Sequence, residues 1–260
     1  MNLLHALILG IVEGITEFLP VSSTAHLILA SKLLQIPQTD FQKFFDVFIQ
    51  SGAILAVIFL YFQYVLKHKK LQWNIFLSFV PTAIVGLVLY KVIKGVFFES
   101  TTLIAWALLI LGIVFIVVEN FIAKGKIKTE KTMLQISARD AILVGLAQSL
   151  AVIPGVSRAG IVMIAMLLLG HKRDESAVYS FLLAVPTLVA ASAFDLYKSK
   201  DSLFLIHDSL FILFVGFVVS FITAYISVKW LMNYLKNHTL SPFGFYRIGL
   251  AIIVMLTLAR

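Results

Sequence analysis

The residues best suited to chemistry lie in one stretch, Gly10–His26, of an otherwise strongly apolar chain. Glu13 and Glu17 are four residues apart, so on a helix they share a face. Two neighbouring carboxylates repel each other unless one is protonated, pairs with a cation or holds a metal ion. We therefore interpret both glutamates as catalytic candidates and as candidate metal ligands.

A break follows these glutamates, because Pro20 lacks an N–H group and its ring clashes with the preceding helical turn. A new helix is predicted to start at Ser22–Thr24, where the first backbone N–H groups have no partner. Such a helix N-terminus suits an anion such as phosphate, so Ser22 and Thr24 are phosphate-binding candidates. His26 lies within one turn of Ser23. This spacing makes Ser23 the candidate nucleophile and His26 its candidate proton acceptor.

A second break, at Pro154-Gly155, precedes Arg158 in another apolar stretch. A guanidinium in such surroundings needs an anionic partner. Two alternatives stay open: an internal salt bridge to Glu13 or Glu17, or a bidentate grip on phosphate oxygens. Ser157 either donates to the same phosphate or only caps the helix.

Gln50 is a weaker candidate for binding phosphate. It lies four residues after Asp46, near the start of the first predicted membrane span. The two side chains either line the mouth of a cavity or satisfy backbone groups of a hairpin.

The composition indicates an integral membrane protein of the all-α class. Of the 260 residues, 60% are hydrophobic and 13% charged, against about 45–50% and about 25% in soluble domains. The net charge of +8 comes largely from short basic runs between apolar segments. Such runs are typical of loops that set membrane topology, and we expect no nucleic-acid partner. The absence of cysteine excludes thiolate chemistry and disulfides.

Two apolar stretches, Leu3–Leu34 and Leu134–Leu169, are interrupted near their middle, and neither half is long enough to cross a bilayer comfortably. We interpret each as a re-entrant broken-helix hairpin, since irregular backbone is tolerated where it lines a protein cavity. Three full spans are predicted after each hairpin, at Phe44–Leu66, Trp73–Val92, Thr101–Ile122, Val178–Tyr197, Leu210–Leu231 and Phe243–Leu258.

The two hairpins resemble each other in sequence. GIVEGITEFLPVSSTA aligns with GLAQSLAVIPGVSRAG when one gap is allowed, which places Gly10 on Gly145, Glu13 on Gln148, Pro20 on Pro154 and Ser23 on Ser157. A hairpin does not change sides whereas three spans do, so the second repeat is expected to be inverted. We predict a single membrane domain over 1–260, with repeats 1–122 and 138–260 around a basic cytoplasmic loop, 123–137. Inverted repeats also suit a transporter or flippase for lipid phosphate, which is the alternative function.

The distribution of basic residues predicts the orientation. One side carries Lys67, Lys69, Lys70, Lys124, Lys126, Lys128, Lys131, Arg139, Lys172, Arg173 and Lys236. The other carries Lys32, Lys43, Lys94, Lys198, Lys200 and Arg260. The richer side is cytoplasmic by the positive-inside rule, so both termini and the mouth of the first hairpin are expected to face outward.

These motifs carry a resemblance to a known family. EGITEFLPVSSTAH and PGVSRAG resemble the two motif regions of the bacterial undecaprenyl-pyrophosphate phosphatases, also called bacitracin-resistance proteins. The similarity continues in FDVFIQSGAILAV, YSFLLAVPTL and FGFYRIGL, and so spans nearly the whole chain. Ala159 and Val162 depart from the second motif, where the family usually has a serine and a threonine.

The resemblance implies a phosphatase of the inner membrane that converts undecaprenyl pyrophosphate to undecaprenyl phosphate and so recycles a carrier for cell-wall synthesis. It implies a polyprenyl pyrophosphate as the lipid substrate and a divalent cation, Mg²⁺ or Ca²⁺, as cofactor. By position, the implied active-site residues are Glu13, Glu17, Ser23, His26 and Arg158. A homodimer is left open.

Overall fold

The protein consists of α-helices joined by short connections. The structure, a computed structural model, describes residues 1–37, 39–92, 100–198 and 210–257, without the side chains of 90–92, 195–198 and 257. In these residues the α-helices are α1 (Leu3–Thr16), α2 (Ser23–Leu33), α3 (Asp40–Lys67), α4 (Lys69–Val92), α5 (Thr101–Ala123), α6 (Ala138–Ser149), α7 (Arg158–Leu168), α8 (Arg173–Lys198), α9 (Leu210–Leu235) and α10 (Ser241–Thr257). The predicted all-α class is confirmed.

Five helices within the described residues, α3, α4, α5, α8 and α9, are long and apolar enough to cross a membrane. They coincide with five of the six predicted spans, which makes this a multi-pass membrane protein. The sixth predicted span corresponds to α10, which has 17 described residues. Its predicted end at Leu258 lies outside the described residues, as do Lys94, Lys200 and Arg260 of the orientation argument.

Four shorter helices form the two predicted hairpins, α1 with α2 and α6 with α7. The longest, α1, has 14 residues and is about 21 Å long at 1.5 Å per residue. None of the four reaches the roughly 30 Å of a bilayer core, so none crosses it alone.

The first break begins earlier than the position of Pro20 suggests, because α1 ends at Thr16. Thr16 is the residue four before Pro20, and a proline ring clashes with the carbonyl at that distance. The second break contains a short 3₁₀ turn, Leu150–Val152, before α7 begins.

The first arm of each hairpin packs against the other half of the chain. α1 packs against α9, and α6 packs against α4. Glycines allow both approaches: a Cβ at Gly10 would come 2.9 Å from the carbonyl oxygen of Gly216, and a Cβ at Gly145 would overlap that of Ser78. Each half thus supplies a span against which the hairpin of the other half packs, as two paired repeats require. The inverted relation of the repeats and their boundaries, 1–122 and 138–260, stay predictions.

The loop between the halves is held against the turn that joins α7 to α8. The backbone N–H groups of Glu130 and Lys131 donate to the Gly170 carbonyl, and Glu175 accepts from the N–H of Met133. Nearby, Arg173 and the buried Glu119 form a salt bridge of 2.5 Å. These contacts join the loop and the end of α5 to the turn before α8 and to the start of α8.

Candidate active site

Glu17 lies at the centre of a charged cluster that joins the two hairpins. It follows the last residue of α1, and its backbone N–H donates to the Glu13 carbonyl. One carboxylate oxygen accepts from the Ser23 hydroxyl at 2.5 Å, and the other is 3.0 Å from the Arg158 guanidinium. Glu17 thereby connects the start of α2 to the start of α7.

The salt-bridge alternative for Arg158 is therefore realised, with Glu17 as the partner. A second guanidinium nitrogen, Nη1, is buried and makes no hydrogen bond within the described part of the chain. Buried donors are normally paired, so this nitrogen is available to an anion such as a phosphate oxygen.

Glu13 lies one turn before Glu17 and is completely buried. Neither of its carboxylate oxygens accepts a hydrogen bond from any described residue. The carboxylate interacts electrostatically with Glu17, Asp46 and Arg158. Since a buried carboxylate without a donor is costly, Glu13 is the group in this cluster that most needs a proton or a cation.

The two glutamates fit the oxygen ligands that Mg²⁺ and Ca²⁺ prefer. No group of three or more His, Cys, Asp or Glu side chains in the described ranges is placed to hold a metal ion. A cation here would be bound by Glu13 and Glu17 with further oxygens from substrate and water, the usual arrangement for Mg²⁺ beside phosphates. The orphaned oxygens of Glu13 thus fit the expected cofactor.

The ring nitrogens of His26 are hydrogen-bonded to residues other than Ser23, the partner that its spacing had suggested. Its Nδ1 is 2.7 Å from the carbonyl oxygen of Ser22, and its Nε2 is 2.6 Å from the hydroxyl of Tyr246 on α10. The Ser23 hydroxyl instead donates to Glu17, so Glu17 holds the position expected of the proton acceptor. The turn before α2 accounts for the position of the imidazole. Ser22 has φ 76°, a conformation rare for a residue with a side chain, and its carbonyl oxygen accepts from Nδ1 of His26.

The remaining predicted phosphate-binding residues differ in their placement. Ser22 is buried and Thr24 is half-buried, both beside Ser23 at the start of α2. The hydroxyl of Ser157 accepts from the N–H of Gly160 at 3.1 Å, so this side chain caps α7. Its own hydrogen can still be donated to a phosphate. Gln50 lies on α3 with a half-buried side chain, and its role stays a prediction.

Sequence reasoning missed the residue that joins the two breaks, Arg247 on α10. Its side chain is fully buried. The guanidinium donates to the carbonyl oxygens of Pro20 at 3.2 Å, Gly155 at 2.7 Å and Ala107 at 3.4 Å. An arginine inside the last apolar segment was the available signal, since ionisable groups at membrane depth are costly and usually functional.

The sequence pattern of the family described as bacitracin resistance protein BacA matches residues 6–253 of this chain. The chain belongs to this family. An undecaprenyl-diphosphatase of Aquifex aeolicus (strain VF5) is 44% identical over 253 residues, covering 96% of each chain. Another, of Campylobacter fetus subsp. fetus (strain 82-40), is 46% identical over 257 residues, covering 98% of this chain and 99% of the relative.

A third relative, the undecaprenyl-diphosphatase of Sulfurihydrogenibium sp. (strain YO3AOP1), is 45% identical over 256 residues, covering 98% of this chain and 99% of its own. The match to the BacA family therefore includes both hairpins and all the spans between them. Within this member of the family, Ala159 and Val162 are buried in the apolar core. They contribute packing at positions where the resemblance had led us to expect hydroxyls.

Proposed function

We propose that this chain is an undecaprenyl-diphosphatase, which releases the terminal phosphate of undecaprenyl pyrophosphate. The printed names of its relatives support this activity. One observation carries the site assignment: Glu17 of the first hairpin contacts both Ser23 and, across the hairpin boundary, Arg158. A hydroxyl, a carboxylate and a guanidinium in one buried cluster are the groups that phosphoryl transfer needs.

In the proposed first step the Ser23 oxygen attacks the terminal phosphorus. The bond from Oγ to phosphorus forms, the bond from phosphorus to the bridging oxygen breaks, and lipid monophosphate leaves. The hydroxyl proton passes to Glu17, its partner at 2.5 Å. Arg158, with Nη1 free of other described partners, neutralises charge on the phosphate oxygens.

In the second step water attacks the phosphoserine, inorganic phosphate leaves, and Oγ regains its proton from Glu17. A divalent cation held by Glu13 and Glu17 would supply positive charge beside the phosphate. A single-step route, in which water attacks directly and Ser23 only positions the phosphate, is the alternative within the same activity.

We also propose a location for the site relative to the membrane. The cluster lies between the two hairpins, and by the excess of basic residues on the opposite side its mouth faces outward. The isoprenoid tail would then lie among the apolar faces of the spans. A reporter fused after Arg260 should be active outside the membrane, and a cytoplasmic signal would reverse this orientation.

Purified protein in detergent tests the activity. We expect phosphate release from a polyprenyl pyrophosphate, dependent on a divalent cation, and its loss in Arg158→Ala. Arg158→Lys should recover only a small part, because an ammonium cannot bind phosphate in a bidentate way. Arg139→Ala, an exposed arginine at the start of α6, is the matched control and should keep full activity. Release that survives Arg158→Ala would remove the site assignment.

A liposome assay tests the flippase alternative. Movement of labelled lipid phosphate between leaflets, without phosphate release, would favour transport over hydrolysis. We expect hydrolysis instead, because a serine hydroxyl donating to a buried carboxylate is an arrangement suited to nucleophilic attack.

A further inference from the structure

The two ring nitrogens of His26 have different partners, and these partners determine which nitrogen carries the proton. A carbonyl oxygen can only accept, so Nδ1 donates its hydrogen to Ser22 at 2.7 Å. In a neutral imidazole the other nitrogen is then an acceptor. Nε2 therefore receives the hydroxyl hydrogen of Tyr246 at 2.6 Å. The two rings are nearly parallel, with an interplanar angle of 6°.

Tyr246 is held in place by the residue that follows it. Arg247 is fully buried and donates to carbonyls at both hairpin breaks, which fixes the backbone of α10 at this point. The side chain of Tyr246 itself is 49% exposed, so it lies at the edge of the cluster rather than in the packed core. Its hydroxyl reaches His26 across 220 residues of sequence.

We propose that Tyr246 is a positioning residue for His26. Its hydroxyl, acting with the Ser22 carbonyl, fixes the orientation of the imidazole and keeps Nε2 as the unprotonated nitrogen. Because Glu17 is placed to receive the Ser23 proton and Nδ1 of His26 already carries its own, a proton that His26 accepts during the reaction arrives at Nε2. This inference rests on the proposed phosphatase function.

Tyr246→Phe removes only the hydroxyl. We expect kcat to fall about tenfold with KM within about twofold, the cost of one well-placed hydrogen bond in the reacting state. Tyr225→Phe is the matched control, since that hydroxyl accepts from the exposed Lys229 on the same helix, α9, and kcat should not change. An unchanged kcat in Tyr246→Phe would overturn the proposal.

A double-mutant cycle separates positioning of His26 from a purely structural role for the tyrosine. In His26→Asn the further change Tyr246→Phe should alter kcat by less than about twofold, since the group it positions is gone. A tenfold loss in that background as well would show that Tyr246 acts elsewhere and would overturn the proposal.

Nitrogen-15 NMR of histidine-labelled protein provides a readout that does not need activity. With the His26 signals assigned from His26→Asn, the Nε2 resonance should move to higher frequency in Tyr246→Phe and stay in place in Tyr225→Phe. An Nε2 resonance that does not move would contradict the contact. If the wild-type protein released no phosphate, the proposed function would fail, while this spectrum would still decide the Tyr246–His26 contact.

Discussion

Each hairpin has a serine at the start of its second helix, but the two serines have different partners. Ser23 begins α2 in the first hairpin, α1 with α2, and Ser157 precedes α7 in the second, α6 with α7. In the first, the Ser23 hydroxyl donates to a carboxylate at 2.5 Å. In the second, the Ser157 hydroxyl accepts from a backbone N–H and caps its own helix. One hydroxyl is directed at a charged partner, and the other completes local structure.

The first helices of the two hairpins, α1 and α6, show the same contrast at the aligned positions Glu13 and Gln148. Glu13 is buried, and no described residue donates a hydrogen bond to it. Gln148 is also buried, yet its amide nitrogen donates to the hydroxyls of Thr82 at 2.9 Å and Thr187 at 3.1 Å, and only its uncharged oxygen has no partner among the described residues. Since unpaired buried charge costs stability, the first hairpin carries the less stable arrangement, which the proposed cation site would use. The second contributes mainly Arg158.

The largest effect should separate the two serines. Ser23→Ala should lower kcat more than about a thousandfold, because it removes the proposed nucleophile. Ser157→Ala should lower it less than about tenfold and cost about 1 kcal/mol of stability through the lost cap. Phosphate release and thermal unfolding measure both. Equal losses of activity would break the comparison, and a residual rate in Ser23→Ala would favour direct attack by water.

Arg247 holds the two breaks together, so its loss should affect both hairpins at once. Arg247→Met removes a donor from the carbonyls of Pro20 and Gly155, and the additional donor from that of Ala107 within α5. We expect a loss of about 3 kcal/mol, since each unpaired buried group costs about 1–3 kcal/mol. Unfolding in detergent measures it, with the exposed Arg139→Met as control. Stability equal to that control would show that the breaks do not depend on this bridge.

Substituting the aligned residues Glu13 and Gln148 separately sharpens the contrast between the first arms of the two hairpins. Glu13→Gln should lower activity about thirtyfold and weaken its dependence on the divalent cation, since cation-binding carboxylate charge is lost. Gln148→Leu should leave cation dependence unchanged while lowering stability, because two threonine hydroxyls lose a partner. Cation titrations of the initial rate distinguish the two variants. An unchanged titration in Glu13→Gln would remove this residue from the cation site.

The smallest effect concerns the helix contacts that are common to both hairpins. Gly145→Ala should destabilise the protein by about 1–3 kcal/mol, because its Cβ would overlap the Ser78 carbonyl and force α6 away from α4. Gly86→Ala on α4 is the matched control, since nothing lies within 4 Å of its Cβ. It should stabilise by up to about 1 kcal/mol through helix propensity. Unfolding midpoints in detergent compare the two, and a stable Gly145→Ala would contradict the close approach.

Much of the framework followed from local sequence patterns. Hydropathy located the five long spans, and Pro20 and Pro154 located the two breaks, because a proline disrupts helical hydrogen bonding wherever the chain continues. The prediction that Arg158 needs an anionic partner was confirmed by its contact with Glu17. The early end of α1 at Thr16 could also have been expected, since the clash from a proline falls four residues before it.

What the chain by itself determined is therefore where its helices run, where they break, and which polar groups lie in apolar surroundings. Only the tertiary structure decided which of those groups meet: Glu17 rather than His26 at Ser23, Tyr246 at His26, and Arg247 at both breaks. The physical reason is the distance along the chain over which each effect acts. Helix periodicity and proline act over about four residues, whereas α10 reaches the first hairpin only through the packing of spans more than two hundred residues along the chain.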